Sequence, residues 1–223
     1  MNTQRSEGIE RGVGEAPLSA RPTFNILISG VGGQGVVLAS YVLSQTALAE
    51  GFDVKQSEVH GMAQRGGCVT GHLRFGERVY SSLITPGTAD VLLAFESVEA
   101  ARYVNWLRPG GLLVYNMVHL NSSTVSAGLA TYPQDIDARL AAEWPNVRAL
   151  DASALAAQAG TVKAANVVML GAVASALPFS AAAMEAVIRR SVPPKTIDVN
   201  LEAFRVGQTV QERDAQVGQE ASV

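Results

Sequence analysis

Residues 24–51, FNILISGVGGQGVVLASYVLSQTALAEG, decide the fold. Residues 24–29 (FNILIS) form a short apolar run ending in glycines, and residues 36–50 carry apolar side chains at helical spacing. Strand, turn and helix therefore follow one another. Gly51 ends the helix, as a residue tolerant of positive φ should, and residues 52–56 read as a second strand. The opening is a β-α-β unit whose first turn carries Gly30, Gly32, Gly33 and Gly35. Closely spaced glycines let the chain turn tightly and leave N–H groups free at a helix N-terminus, where an anion is favoured. A phosphate fits such a turn, and so does plain packing of helix on strand.

Outward from this unit, strands alternate with helices. Residues 68–75 and 78–82 flank Gly76-Glu77 as a β-hairpin, with Val69, Gly71, Leu73 and Phe75 on one face. Residues 90–95 (DVLLAF) read as a strand buried on both faces, residues 96–107 as a helix ended by Arg108-Pro109-Gly110-Gly111, and residues 112–116 as another strand. A helix at 135–144 and a strand at 147–150 follow, and Asp151 or Ser153 caps the next helix. Helices then cover 166–177, 180–191 and 196–207. The expected fold is a single α/β domain over residues 23–207, with three layers around a mixed, mostly parallel central sheet. It has a Rossmann-like start and an inserted β-hairpin. Residues 1–22 and 208–223 are too polar to bury much surface and are expected to be a flexible N-terminal extension and a flexible C-terminal tail.

Composition narrows the function classes. The chain has 223 residues, 48% hydrophobic and 17% charged, which suits one substantial core. A net charge of -3 supplies no basic field for a phosphate backbone, so nucleic acid is not an expected partner. The single cysteine, Cys68, excludes an internal disulfide and any iron–sulfur cluster held by this chain's own thiolates. No apolar run is long enough to span a bilayer and residues 1–22 lack a signal-peptide core, so a cytoplasmic protein without a membrane span is expected. His60, His72, His119 and Cys68 show no close ligand spacing, and no metal site is expected.

The glycine turn fits the dinucleotide pattern G-x-G-x-x-G through Gly30, Gly32 and Gly35. That pattern calls for an acidic residue about 20 positions on, at the end of the second strand, to hold the ribose. Lys55, Gln56 and Ser57 stand there, with Glu58 a late candidate. A free-standing NAD- or FAD-dependent dehydrogenase of Rossmann type is therefore an alternative reading. Residues 57–67 (SEVHGMAQRGG) put Glu58, His60, Gln64 and Arg65 among glycines, a polar loop of the kind that meets a ligand or a partner. Arg65 can clamp a phosphate or carboxylate through its planar fork. Glu58 and Arg65 can equally pair with each other to hold the loop. Glu96 and Asn116 end central strands, where open α/β sheets place ligand residues.

Taken together, GVGGQG at 30–35, SEVHGMAQRGG at 57–67, VTGHLRFG at 69–76, ADVLLAFE at 89–96 and PGG at 109–111 resemble the gamma subunit, or gamma domain, of 2-oxoacid:ferredoxin oxidoreductases. The resemblance runs over residues 24–207. Residues 57–67 look most like the small beta subunit of indolepyruvate ferredoxin oxidoreductase, with phenylglyoxylate dehydrogenase next. The resemblance implies a complex that oxidatively decarboxylates a 2-oxoacid to its acyl-CoA. Thiamine diphosphate, Mg2+ and iron–sulfur clusters would sit on other subunits, and electrons would leave to ferredoxin or to an NAD(H)-reactive subunit. It also implies that Gly30, Gly32, Gly33, Gln34 and Gly35 contact a phosphate or the pantetheine arm of coenzyme A. Glu58, His60, Gln64 and Arg65 would then face the shared cavity as supporting residues, with Glu96 and Asn116 in the cofactor-binding set. A third reading is a non-catalytic assembly subunit.

Overall fold

The computed structural model describes residues 23–61, 67–121 and 123–220. The chain opens with β1 (Phe24–Val31), α1 (Val36–Ala49), β2 (Asp53–His60) and β3 (Cys68–Gly76), then β4 (Ala89–Ala94), α2 (Ser97–Tyr103) and β5 (Leu107–Asn116). Next come α3 (Ser123–Ser126), α4 (Ile136–Glu143), β6 (Val147–Leu150) and α5 (Ala152–Gln158). The helices α6 (Ala165–Val173), α7 (Ala181–Ser191) and α8 (Ile197–Glu220) close the described part. Among the described residues, six strands form one sheet in the order β2-β3-β1-β4-β5-β6, and β3 alone runs antiparallel to its neighbours.

Strand alternation divides the core into two faces. Ile26, Ile28, Leu73, Phe75 and Leu93 pack with side chains of α1, α6, α7 and α8. Leu27, Leu92, Leu113 and Tyr115 turn to the other face, under α2 and α4. The result is the three-layer α/β domain with a mixed, mostly parallel sheet that the sequence predicts. Asp151 caps α5 as expected, its Oδ1 accepting from Ala154 N–H at 2.9 Å.

Several local expectations are corrected. The second strand does not stop at Gln56 but runs to His60, because it pairs along its whole length with β3. The inserted hairpin is therefore β2–β3, and Arg78–Ser82 is not a strand. Asp53 Oδ2 accepts from Val79 N–H at 2.8 Å, and Arg74 Nη1 donates to the carbonyls of Ser81 and Leu83 at 3.0 and 3.2 Å. These side chains hold residues 79–83 away from the ladder. β3 also separates β1 from β2, so the opening is not a simple β-α-β unit. The helix after Glu96 ends at Tyr103, passes through one 3-10 turn, and Leu107 already belongs to β5. The Pro109-Gly110-Gly111 segment lies inside that strand at a shift in its register with β4. The helix expected over 166–177 starts at Ala165 and finishes as a 3-10 turn, and α8 continues past Gly207 to Glu220. Residues 1–22 lie outside the described residues.

The face away from α2 depends on a close helix crossing. Every residue of α6 from Asn166 to Val173 is buried, as suits a helix that is apolar all round. A Cβ at Gly171 would stand 2.1 Å from the Phe204 carbonyl oxygen, and one at Gly207 would stand 2.1 Å from that of Val168. Backbone therefore meets backbone where α6 crosses α8. Ala in place of Gly inside a helix normally stabilises by about 1 kcal/mol. Here the clash reverses the sign: Gly171→Ala and Gly207→Ala should each cost about 2–4 kcal/mol, read as a lower midpoint in urea unfolding. An unchanged or higher midpoint would show that the crossing is looser than described.

Candidate functional site: a glycine turn between two cavities

The glycine turn is closed by one side-chain amide. Val31 N–H donates to Gln34 Oε1 at 2.7 Å, and Gln34 Nε2 donates to the carbonyl of Phe95, just past β4, at 2.8 Å. Gln34 N–H returns to the Val31 carbonyl at 3.1 Å, and Gly32 N–H reaches the Gly67 carbonyl, beside the start of β3, at 2.9 Å. The turn is thus pinned to both neighbours of β1. Gly30 is its packing point, since a Cβ there would stand 2.7 Å from Val36 Cγ2 and 2.9 Å from Phe95 Cβ. Gly35 is the N-cap of α1 at φ 82°, with no side-chain cap and no acidic residue in the helix's first turn. First-turn N–H groups have no acceptor within their own helix. Among the described residues, no acceptor is found for the N–H groups of Gly33, Gly35, Val36, Val37 and Leu38.

Two cavities flank the turn and share Val31 and Gly32. The one on the α1 side, about 630 Å³, is walled by Val36, Val37, Leu38 and Val69 together with Tyr41 and His60. The one on the α2 side, about 560 Å³, brings Cys68, Glu96, Glu99 and Arg102 up against Leu120 and Tyr132. One wall set is apolar and uncharged, the other carries fixed charge. Open α/β sheets bind ligands at this end, beyond the carboxyl ends of their parallel strands.

The charged cavity is internally balanced. Cys68 Sγ donates to Glu99 Oε2 at 2.8 Å, and Arg102 Nε donates to Glu99 Oε1 at 3.1 Å. Burial, and then the bond to Glu99, push the Cys68 thiol above its ordinary value. A protonated thiol is a poor nucleophile, which removes Cys68 from consideration as a catalytic group at neutral pH. Glu99 in turn holds the Arg102 guanidinium more firmly charged. Glu96 is 2% exposed, and donors reach both of its oxygens. Oε2 accepts from Glu99 N–H at 2.9 Å, capping α2, while Oε1 accepts from Tyr132 OH at 2.6 Å and from Leu120 N–H at 3.2 Å. Burial and this bond to Glu96 push the Tyr132 phenol up. One carboxylate therefore straps the segment carrying Leu120 and Tyr132 across the cavity.

The structure brings Gly30, Gly32, Gly33, Gln34 and Gly35 together with His60 at one end of the sheet. It separates the others by role. Gln34 is expected to contact a ligand, yet both ends of its amide serve the turn. Glu96 and Asn116 likewise serve their own fold, the latter with Oδ1 accepting from Ala152 N–H at 2.9 Å at the start of α5. Glu58 stands on edge strand β2 rather than in a loop, and its Oε1 accepts from Gln56 Nε2 at 3.0 Å. Gln64 and Arg65 lie outside the described residues, and with them the expected Glu58–Arg65 pair. Sequence reasoning passes over Glu99, Arg102 and Tyr132. The Glu96-x-x-Glu99 spacing at a helix start is a readable sign that Glu96 caps, since a capping side chain accepts from the residue three positions on.

Other chemistries find no support in this geometry. A dinucleotide fold sets its second strand beside the first so that the acid reaches the ribose, whereas β3 stands between β1 and β2 here. Buried His72 accepts from Ile84 N–H through Nδ1 at 3.2 Å, and burial holds its pKa down. Among the described residues, no group of three His, Cys, Asp or Glu side chains could hold a metal ion. No helix among them is long and apolar enough to cross a membrane.

The chain belongs to the pyruvate ferredoxin/flavodoxin oxidoreductase family, whose pattern matches residues 25–210. It is 46% identical over 189 residues to the indolepyruvate oxidoreductase subunit IorB of Thermococcus kodakarensis, a match that covers 82% of this chain and 94% of that one. Its structure is similar to the gamma subunit of a keto/oxoacid ferredoxin oxidoreductase from Geobacter sulfurreducens, with TM-score 0.61 and 26% identity over 84% of this chain and 97% of that chain. The same fold occurs inside a longer chain, the 2-oxoglutarate:ferredoxin oxidoreductase of Magnetococcus marinus. There the TM-score is 0.65 and the identity 21%, over 86% of this chain and 31% of the other.

Because Gln34 satisfies two backbone groups at once, Gln34→Ala should lower stability by about 2 kcal/mol in urea unfolding. Gln34→Glu should recover little of this, since a carboxylate cannot donate to the Phe95 carbonyl. Full stability in either variant would mean that the turn does not depend on the amide.

Proposed function

We propose that this chain is the non-cluster subunit of a thiamine diphosphate-dependent oxidoreductase. The complex oxidatively decarboxylates an aromatic 2-oxoacid, indolepyruvate first and phenylglyoxylate as a near variant, to its acyl-CoA. The observation that carries the proposal is a half-built site. Among the described residues, a glycine turn with unused N–H donors stands beside a helix whose outward side chains have nothing to pack on. Residues 36–49 contain no charged side chain, and Val37, Tyr41 and Leu48 on α1 are 50%, 46% and 50% exposed. An uncharged, largely apolar helix is ordinarily buried. Membership of an oxidoreductase family whose relatives are named as subunits supports placing a sister subunit against it.

In this reading the chain orients and encloses. When bound in the partner subunit, thiamine diphosphate supplies the carbanion chemistry, and iron–sulfur clusters there carry the electrons towards ferredoxin. Gly33, Gly35 and the first turn of α1 present N–H groups to the phosphate end of coenzyme A. The apolar cavity beside Tyr41 and His60 takes the uncharged pantetheine arm, and Glu58, Gln64 and Arg65 are supporting residues in this reading. Nothing in this arrangement asks a residue of this chain to exchange a proton with the substrate. The cytoplasm is the compartment that suits such a complex and the reduced Cys68.

Coexpression with the thiamine- and cluster-bearing subunits tests the proposal. The isolated chain should be colourless and inactive, and the assembled complex should form acyl-CoA from indolepyruvate. Tyr41→Asp should reduce recovered complex by about tenfold or more, since loss of an interface aromatic commonly costs about 2 kcal/mol. Acyl-CoA formation by the other subunits without this chain would contradict the proposal, and so would assembly indifferent to Tyr41→Asp.

A further inference from the structure

The α2-side cavity stands where the connections of the sheet part. β1 and β4 are parallel neighbours, and α1 leaves β1 for one face while α2 leaves β4 for the other. Open α/β sheets take ligands in the crevice outside such a parting, beyond the carboxyl ends of the two strands. Val31 and Gly32 from the end of β1 and Glu96 from just past β4 line this cavity, and its volume is about 560 Å³. That is the size of an ordinary small-molecule pocket. Coenzyme A on the α1 side makes no use of it.

Among the described residues that line the cavity, Arg102 is the one cation. Buried groups set its position. Glu99 is 5% exposed, its N–H is held by Glu96 Oε2, and its two oxygens accept from Cys68 Sγ and from Arg102 Nε. Only the Nε of the guanidinium is engaged in this way. Among the described residues no acceptor is found for Nη1 or Nη2 of Arg102, whose side chain is 56% exposed. A guanidinium fixed through its Nε presents the two Nη groups as a planar fork, which matches the two oxygens of a carboxylate. The carboxylates of the cavity do not compete for that fork. Glu96 is answered by Glu99 N–H, Tyr132 OH and Leu120 N–H, and Glu99 by the thiol and Arg102 Nε.

Beyond the fork the wall turns apolar, with Val98, Leu120, Val125 and Pro133 beside Tyr132. The Tyr132 ring is fixed at both ends, by its hydroxyl on Glu96 and by the His119 ring at 4.8 Å between centroids. We propose that this cavity binds a monocarboxylic acid with an aromatic body, its carboxylate on the Nη fork of Arg102 and its ring against Val98, Leu120 and Tyr132. Aromatic 2-oxoacids belong to this class. That they are the ligands met in the working complex rests on the proposed function, whereas the site itself does not.

Phenylacetate is the first probe and phenylacetamide its uncharged match, each added to the full chain at matched ionic strength while thermal unfolding is followed. A ligand of the folded state raises the midpoint according to its affinity, so phenylacetate should raise it well above phenylacetamide. Arg102→Met should weaken the apparent affinity for phenylacetate by about tenfold or more, since a charge-assisted pair is lost, and leave that for phenylacetamide near its starting value. Because this change also takes a partner from Glu99, a second variant leaves Arg102 in place. Thr131 is exposed and lines the cavity from the strap, so Thr131→Trp should fill the space and abolish both responses while the midpoint without ligand stays near that of the wild type. No response in the wild-type chain, equal responses to acid and amide, or a phenylacetate response that survives both variants would overturn the site. Phenylpyruvate, an aromatic 2-oxoacid, should behave as phenylacetate does. Binding of phenylacetate without binding of phenylpyruvate would keep the site and remove 2-oxoacids from its ligands. All of these responses are read on the chain alone, so an inactive complex would count against the proposed function and not against this site.

Discussion

The amide of Gln34 is the constraint on which the site rests. By accepting from Val31 and donating to Phe95, it joins the end of β1 to the residue after β4, the strands that form the centre of the sheet. The turn between them cannot open without breaking both bonds. Its remaining N–H groups are therefore held in one direction before any ligand arrives. Preorganised donors of this kind bind an anion without first paying to be ordered. Everything placed around the turn, from Gly35 to the two flanking cavities, inherits its position from this clip.

The cavities then differ in kind because strand alternation sends different residues to the two faces. Val69 faces α1, while Cys68 and Thr70 face α2 and meet Glu99 and Tyr103 there. On the α2 side the carboxylates are already engaged. Glu99 holds Arg102 and Cys68, and Glu96 holds the strap through Tyr132 and Leu120. On the α1 side the donors and the apolar wall remain unused among the described residues. That asymmetry points the unfinished half of the molecule towards α1, which is also where uncharged side chains stand outward.

Much of the fold is legible in the sequence because its signals are local. The apolar run before Gly30, the helix that Gly51 ends, the buried strand at 90–95 and the Asp151 cap each rest on neighbours within a few residues. What escapes is decided at a distance. Residues 57–60 look polar and loop-like, and become strand only because β3 offers a full ladder to pair with. Residues 78–82 look like the partner strand, and are kept out by Asp53 and Arg74. The crossing of α6 and α8 at Gly171 and Gly207 involves residues with no sequence proximity at all.

The site divides in the same way. The glycine turn announces itself, since closely spaced glycines between strand and helix mark a tight turn that leaves N–H groups free. Gln34, Glu96 and Asn116 read alike in sequence whether they meet a ligand or their own backbone, because a polar residue at a strand end suits both. The central claim is that the donors of residues 33–38 are unused in the free chain and taken up in the working complex. Hydrogen exchange on the peptide covering residues 32–41 measures this directly. The account predicts rapid exchange of these amides in the isolated chain and strong protection when coenzyme A is added to the assembled oxidoreductase. Exchange that is already slow in the isolated chain, or that coenzyme A leaves unchanged in the complex, would contradict it.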